Sequence, residues 1–333
     1  MTCAPIFYPL LIILLATLSL TLGAISLVVG PGGGPAEIMT MLARGDGDIA
    51  WMIVGDVRLP RTLLALFVGA TLGMAGAALQ GLLRNPLADP GVVGVTTSAS
   101  LGAVIALYTG ASLAFPLALP VMGIAGALAS AIVLLMVARR GGMLTLVLAG
   151  VAISSLCAAL MSLALNMSPN PYAAAEIMFW LMGSVTDRSM DHVALAAPLM
   201  ALGAIMLTLA ARALNALSLG EETAASLGVS LSRTRALVIG GASIGVGAGT
   251  AVCGGIGFIG LVVPHLLRPL VGHTPGRLLA ASAFGGAALL MSADILVRLL
   301  PTGIELKLGV VTSLVGAPFF LWLIFRARTE LES

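Results

Sequence analysis

Charged residues are scarce in this chain. Of its 333 residues only 9% are charged, 59% are hydrophobic, and the mean hydropathy is +1.12. A soluble domain carries about 25% charged residues, so this chain lacks the polar groups needed to cover a water-facing surface. The scarcity excludes an ordinary soluble protein and indicates a protein whose solvent is lipid.

Lysine is nearly absent, because Lys307 in "IELKLG" is the only one. A nucleotide-binding P-loop needs a lysine on the phosphates, so we expect no ATP hydrolysis by this chain. Metalloprotease and nucleophile-elbow motifs are also missing, and the histidines His192, His265 and His273 are scattered. We therefore expect no catalytic residue, no metal site and no cofactor here.

Cysteine is rare as well. Cys3, Cys157 and Cys253 are odd in number and lack metal-type spacing, so we interpret them as small hydrophobic residues. No basic residue precedes the first apolar run, whereas a cleaved signal peptide has a positive n-region. The first run is therefore expected to be retained as a helix and not cleaved as a signal peptide.

What the chain does have is a series of apolar runs about twenty residues long, the length a helix needs to cross a hydrocarbon core of about 30 Å. A membrane β-barrel would instead show alternating segments of about ten residues. The fold class predicted is an all-α polytopic membrane protein, a single domain over residues 1–333. Its ten predicted spans are 7–29, 61–83, 92–109, 113–138, 144–165, 190–211, 232–250, 256–271, 278–299 and 307–325.

The placement of arginines sets the predicted orientation. An even number of spans puts both termini on one side, and cytoplasmic termini leave more basic residues in the inner loops than in the outer ones. This distribution agrees with the positive-inside rule. We expect a multi-pass protein of the bacterial inner membrane with both termini in the cytoplasm.

A faint internal repeat favours transport. Residues 61–73, "RTLLALFVGATLG", and 233–245, "RTRALVIGGASIG", share Arg, Thr, Gly, Ala and Gly at matching places. In the predicted topology the two segments cross the membrane in opposite directions, and inverted repeats are a common plan of transporters. Chance similarity between glycine-rich helices is the alternative.

Two groups of charges lie at the predicted outer ends of helices. Asp294 and Arg298 share one helix face at a spacing of four, which favours a local ion pair over a proton relay. Arg58 and Arg61 precede the second span. Snorkelling anchors explain such arginines; a positive cluster that receives acidic groups of a partner is the alternative.

The longest inner polar segment, 215–235, contains a predicted short helix. Ser218 and Glu221 have the spacing of a capping box, and Gly228 is suited to the position just after a helix. A helix this short does not fold alone. It is either an ordinary connection or a docking element.

The stretch "RNPLADPGVVG", 84–94, interrupts two apolar runs. Its turn-forming residues are Asn85, Pro86, Asp89, Pro90 and Gly91, which end one helix and start another. We expect a water-facing turn here, because backbone groups that leave a helix cannot stay unbonded in lipid.

Several segments together resemble the FecCD-type permeases. They are "RLPRTLLALFVGATLGMAGAALQGLLRNPLADPGVVGV", "FWLMGS", "LGEETAASLGV", "GGIGFIGLVVPHLLRPLVG" and "LKLGVVTSLVGAPFFLWLIFR". The resemblance runs from about residue 58 to 326 and keeps the motifs in order. These permeases are the membrane subunits of ABC importers for ferric siderophores, haem and cobalamin.

The resemblance implies a type II ABC importer transmembrane domain that works as a homodimer. It implies two cytosolic ATPase subunits, which bind ATP and magnesium, and a periplasmic binding protein. Arg58, Arg61 and Arg298 match the arginines that receive acidic side chains of that binding protein. A coupling helix at 218–228 matches the ATPase contact, in particular Ser218, Leu219, Gly220, Glu221, Glu222, Ala225, Leu227 and Gly228. The turn at Asn85–Gly91 is then cytoplasmic.

The function this resemblance implies is import of an iron complex by alternating access, driven by ATP hydrolysis in partner subunits. Haem is narrowly favoured over a ferric siderophore, and cobalamin is an alternative. A different class of function, a proton-coupled secondary transporter using Asp294, remains open at this point.

Overall fold

The computed structural model describes residues 7–30, 34–91, 93–115, 117–140, 142–168, 170–300 and 305–332, and these residues form α-helices joined by turns, without a β-strand among them. A π-helical segment, Met52–Arg58, leads directly into α4, and a 3₁₀ turn, Pro269–Val271, follows α14. The helices are α1 Phe7–Val28, α2 Pro35–Arg44, α3 Gly47–Trp51, α4 Leu59–Leu83, α5 Val95–Tyr108, α6 Ala111–Ala114, α7 Ala118–Arg140, α8 Met143–Asn166, α9 Pro171–Leu181, α10 Met190–Leu209, α11 Ala211–Leu217, α12 Glu221–Ser226, α13 Leu231–Cys253, α14 Ile259–Leu267, α15 Pro275–Leu299 and α16 Leu308–Glu332.

Long apolar helices dominate the described part of the chain. Seven segments there are long and apolar enough to cross a membrane, and they include α1, α7, α8, α10, α13, α15 and the continuous helix Gly47–Leu83. Two shorter apolar helices are Val95–Tyr108 and Leu308–Trp322. The prediction of an all-α, multi-span membrane protein is confirmed.

Two predicted spans have different boundaries in the structure. The span predicted at 113–138 is α7, which begins only at Ala118 after the short helix α6 and an extended residue, Phe115. Pro120 then lies in the first turn of α7, where its missing N–H leaves no bond unmade. Val92 and Pro116, which fall within predicted spans, lie outside the described residues.

The span predicted at 256–271 is not one long helix. It is the nine-residue helix α14 followed by the 3₁₀ turn. At about 1.5 Å per residue such a helix is too short to cross the hydrocarbon core alone. Left-handed backbone at Phe258 and Gly272 (φ +67° at both) ends the helical region on either side. The helices α2, α3 and α9 lie outside the spans predicted from the sequence.

The π-helical segment before α4 coincides with a proline. Pro60 lies at the second position of α4 and cannot donate a hydrogen bond to a carbonyl of the preceding turn. A wider π turn accommodates that loss without breaking the helix. The helix therefore continues through Arg58 and Arg61 instead of ending between them.

Helix α4 lies at the centre and touches its neighbours backbone to backbone. A Cβ atom added at Gly69 would lie 2.4 Å from the carbonyl oxygen of Gly286, and one at Gly73 would lie 2.1 Å from that of Ser282, both on α15. One at Gly76 would lie 1.9 Å from the carbonyl oxygen of Gly260 on α14. Only glycine permits this approach, which supplies the close packing that holds helices together in lipid.

The helices around α4 have defined directions. Gly81 of α4 lies beside Pro275, the first residue of α15, while Arg61 binds Asp294 near the end of α15. The two helices are therefore antiparallel. Helix α13 is also antiparallel to α4, since its Gly245 meets Thr71 and its later Gly249 meets Val68. The two segments of the faint sequence repeat thus run in opposite directions.

These directions define two ends of the bundle. The arginine end carries Arg58, Arg61 and Arg298. The turn end carries the turn after α4 and the helix α12, because Asn215 just before α12 accepts a hydrogen bond at Oδ1 from the Gly276 N–H (2.6 Å). Helix α1 begins at the turn end, where Arg277 stacks on its Tyr8 ring at 5.2 Å.

Replacing Gly76 with alanine is expected to lower thermal stability, because the added methyl group forces α4 and α14 apart. Overpacking of this kind costs about 1–3 kcal/mol. Gly81→Ala on the same helix is the matched control, since its Cβ would lie 3.4 Å from the Pro275 Cβ, an ordinary contact. Thermal unfolding of the purified proteins in detergent compares them. Equal midpoints for Gly76→Ala and wild type would contradict the close approach.

Candidate functional site

A buried ion network lies at the arginine end. Arg61 donates to Asp294 Oδ1 from Nε (2.9 Å) and from Nη2 (2.7 Å). Arg298 Nε donates to the other oxygen of the same carboxylate at 2.9 Å. Arg61 also pairs with Glu305, which accepts a hydrogen bond from the Thr186 hydroxyl at 3.1 Å. The network joins α4 and α15 to the segments that precede α10 and α16.

Two of the arginines also hold the end of α1. Arg58 Nη1 donates to the carbonyl oxygen of Val28 at 2.8 Å and Arg298 Nη1 to that of Ser26 at 2.8 Å. Further bonds run from Arg58 to Gly30 and from Arg298 to Val29. The last carbonyls of a helix have no partner within it and carry partial negative charge. The guanidinium groups of Arg58 and Arg298 supply these carbonyls with both hydrogen-bond donors and positive charge.

The structure buries all three arginines that the sequence analysis assigned to docking. Arg58 is 1% exposed and Arg61 5%, and the Arg298 side chain is 0% exposed. Their guanidinium groups bind partners inside the chain rather than forming a free cluster on its outer surface. The docking role itself stays a prediction.

The predicted ion pair between Asp294 and Arg298 is present, but it is part of this larger network and Asp294 is completely buried. Both of its carboxylate oxygens accept from guanidinium groups. A proton relay needs a carboxylate that exchanges protons freely, and a buried carboxylate between two arginines is a poor one. The geometry favours a structural ion network over the relay.

At the turn end, α12 is a short helix with a well-formed C-terminus. Gly228 has φ +81°, and its N–H donates to the Ala225 carbonyl at 2.9 Å while the Val229 N–H donates to that of Ala224 at 3.0 Å. This is the Schellman arrangement, and the expectation for Gly228 is confirmed by it. Ala224 is fully buried and anchors the helix to the bundle.

The capping box predicted from Ser218 and Glu221 is wrong. The N-cap residue is Gly220, without a side-chain cap, and Ser218 lies two residues earlier, where its hydroxyl donates to the Asn215 carbonyl at 2.7 Å. Helix α11 extends to Leu217, so Ser218 caps the end of that helix rather than the start of the next. Glu221 instead faces Arg235 on α13 at 4.0 Å.

The surface around α12 is apolar at both flanks. Leu219 is 64% exposed and Leu227 63%, and Glu222 and Ala225 are exposed between them. Exposed leucines that flank a polar helix turn indicate a surface that meets another protein. This surface coincides with residues 218–228, the predicted coupling segment, and its contact with an ATPase stays a prediction.

The second feature of the turn end is the turn between α4 and α5. Helix α4 ends at Leu83, as predicted, and α5 begins at Val95, three residues after the predicted start at 92. The Asn85 side chain accepts from the Leu87 N–H at 2.9 Å and the Asp89 side chain from the Gly91 N–H at 2.8 Å. Burial raises the pKa of Asp89, and the hydrogen bond from Gly91 offsets part of that effect.

The two ends are linked by the central helix. Helix α4 has Arg61 in its first turn and runs directly into the turn at Asn85–Gly91. Its 25 residues span roughly 37 Å. Helix α15 runs beside it in the opposite direction and carries Asp294 and Arg298.

Sequence reasoning missed the partners that complete the arginine end. Arg61 and Asp294 are separated by 233 residues, and Glu305 and Thr186 carried no motif. An unpaired buried charge is costly, so a second charge of opposite sign near the same membrane depth was the signal that the sequence offered.

Among the described residues, no group of three or more His, Cys, Asp and Glu side chains could hold a metal ion.

Replacing Asp294 with asparagine should strongly destabilise the protein, because two buried guanidinium groups lose their shared counter-charge. Breaking a buried ion pair costs about 3–5 kcal/mol. Ser292→Ala on the same helix is the control, since it changes neither charge nor helix length. Thermal unfolding and yield of monodisperse protein in detergent measure the effect. Wild-type stability of Asp294→Asn would refute the network.

Comparison with known proteins identifies the family that shares this architecture. Residues 11–326 match the model of the FecCD transport family. The chain is 42% identical to the Fe(3+) dicitrate transport system permease protein FecD of Escherichia coli, over 85% of this chain and 88% of that protein. It is 37% identical to the hemin transport system permease protein HmuU of Yersinia pestis, over 97% and 96%. It is 40% identical to the vitamin B12 import system permease protein BtuC of Salmonella paratyphi A, over 95% and 93%.

A solved structure agrees with these relatives. It is described as an inward-facing conformation of a metal-chelate type ABC transporter, and it superposes with a TM-score of 0.83 at 32% identity. The match covers 96% of this chain and 99% of that one. The chain belongs to the FecCD transport family and is a permease of the ABC importer type.

Proposed function

We propose that this permease moves a large iron chelate across the bacterial inner membrane by alternating access. It works with a second copy of itself, two cytosolic ATPase subunits and a periplasmic binding protein. The relatives named for ferric dicitrate, hemin and vitamin B12 support a bulky metal chelate as cargo. We place haem narrowly ahead of a ferric siderophore, with cobalamin as the alternative.

The observation that carries this proposal is the separation of two contact regions by one pair of antiparallel helices. The coupling segment at 218–228 offers the exposed Leu219 and Leu227 to an ATPase subunit. The arginine end lies at the other end of α4 and α15 and faces the binding protein. Because α4 and α15 contact each other through glycine, they move as one body when either region is pushed.

The face of α8 supports a second copy of the chain. This helix is long and apolar, yet only 17% of its membrane window is buried within the chain. Its exposed residues include Ala152, Ser155, Ala159 and Ser162, which are smaller and more polar than lipid contact requires. Small and hydroxyl-bearing residues are typical of faces where membrane helices meet. We assign this face to the dimer and to the uncharged wall of the substrate path.

The directions of the terminal helices support cytoplasmic termini. Helix α1 begins at the turn end beside Arg277. Helix α16 begins at the arginine end, where the Gly309 N–H donates to the Gly183 carbonyl at 3.3 Å, and its 25 residues carry it back across the bundle. With the coupling segment in the cytoplasm, both termini lie there too.

Reconstitution tests the proposed transport directly. Vesicles that contain the permease, its ATPase subunits and internal ATP should take up one of hemin, Fe(III)-dicitrate or cobalamin when the binding protein is supplied outside. Vesicles that lack the ATPase, or contain a non-hydrolysable ATP analogue, should take up none. Uptake by the permease alone under a pH gradient would refute the proposal and favour a proton-coupled carrier.

Replacing Ala225 with proline should uncouple ATP hydrolysis from transport. Proline at position 225 removes the backbone N–H of that residue in the last turn of α12, and its ring clashes with the preceding turn. The coupling segment then loses its helical shape. Ala225→Ser, at the same exposed position, is the matched control and should transport normally. ATPase rate and uptake are measured together in vesicles. Normal uptake by Ala225→Pro would remove α12 from the coupling role.

A further inference from the structure

Arg61 lies between two carboxylates in very different surroundings. On one side is Asp294, which is completely buried and shared with Arg298. On the other is Glu305, whose side chain is 33% exposed and also accepts a hydrogen bond from Thr186. The inner contact is therefore fixed by its burial, whereas the outer contact is partly open to solvent on the Glu305 side only, because the Arg61 side chain is 6% exposed.

Arg61 also differs from the other two arginines in its partners. Arg58 and Arg298 bind carbonyl oxygens at the end of α1, and those bonds cannot be released without freeing the helix end. The hydrogen bonds of Arg61 within the described chain run to carboxylates. One of the two, that to Glu305, is replaceable by any other carboxylate that approaches from outside.

The two carboxylates differ in the energy needed to displace them. Removing the partner of a fully buried charge is strongly unfavourable, which keeps Asp294 in place. The pair with Glu305 is screened more than the pair with Asp294, because the Glu305 side chain is 33% exposed and Asp294 is completely buried. An incoming carboxylate can therefore replace Glu305 on Arg61 more easily than it can replace Asp294, and the buried half of the network stays intact.

We propose that Glu305 occupies, in the free permease, the place on Arg61 that a carboxylate of the binding protein takes on docking. The inference rests on the proposed function, because it needs an acidic protein that docks at the arginine end. Docking then exchanges one ion pair for another rather than adding a new one. Glu305 acts as an internal competitor that keeps the complex weak enough to release the binding protein.

An arginine-specific reagent tests the internal contact without a partner. The permease in lipid nanodiscs is treated with phenylglyoxal, and modification of Arg61 is measured by mass spectrometry. Glu305→Ala should make Arg61 react several times faster than in wild type. Thr186→Val, which removes only the hydrogen bond to Glu305, should produce a smaller rise. Arg298 serves as the internal reference and should stay unreactive.

The control variant is Glu176→Ala, an exposed carboxylate on α9, a helix that contributes no residue to the network described above. It changes the net charge equally. It should leave Arg61 as protected as in wild type. Unchanged protection of Arg61 in both Glu305→Ala and Thr186→Val would overturn the proposal, because Glu305 would not be the group that covers Arg61.

Docking of the binding protein tests the exchange. Affinity of the nanodisc complex for the binding protein of the same transport system is measured by surface plasmon resonance. Glu305→Ala should bind about twofold to fivefold more tightly, the size expected for losing a part-exposed competing pair, and Glu176→Ala should not. Equal affinity of wild type and Glu305→Ala would overturn the proposed exchange of carboxylates but not the docking role of the arginine end. Failure of every variant and of wild type to bind would refute the docking role on which it rests.

Discussion

The contact between α4 and its neighbours α15 and α14 is the constraint on which the rest of the structure depends. In lipid, helices gain nothing from hiding apolar surface, so association relies on close packing. Gly69, Gly73 and Gly76 supply it by letting backbones touch where any side chain would intrude. A cluster of charges can then be enclosed at one end of these helices, because the helices that carry it are already held at a fixed distance.

A rigid central pair limits where movement can occur. Helices α4 and α15 link the arginine end to the turn end as one body, so in the proposed alternating access this body rotates against less tightly packed elements. The largely exposed α8 is such an element. Movement of α8 leaves the glycine contacts of α4 undisturbed, whereas α14 is held against α4 where Gly76 meets Gly260.

The spans were predictable because hydrocarbon thickness sets helix length, and the turn at 84–94 because Asn, Asp, Pro and Gly determine local backbone geometry. Gly228 was predictable for the same local reason. The capping role of Ser218 failed because α11 extends further than its sequence suggests, which shifts Ser218 to a helix end. The pairing of Arg61 with Asp294 was out of reach, since no local rule joins residues so distant in sequence. The reduced length of α14 depends on backbone strain at Phe258, a residue type that carries no signal of it.

The end of α1 has a consequence for the order in which the protein assembles. This helix precedes its partners in the chain, since the guanidinium groups that bind its last carbonyls come from Arg58 and, much later, from Arg298. Until α15 has entered the membrane, Arg61 also lacks Asp294. These groups then have only lipid headgroups and water as partners, and the arginine end closes only after α15 has been made. Insertion of α15 thus completes a structure that α1 began.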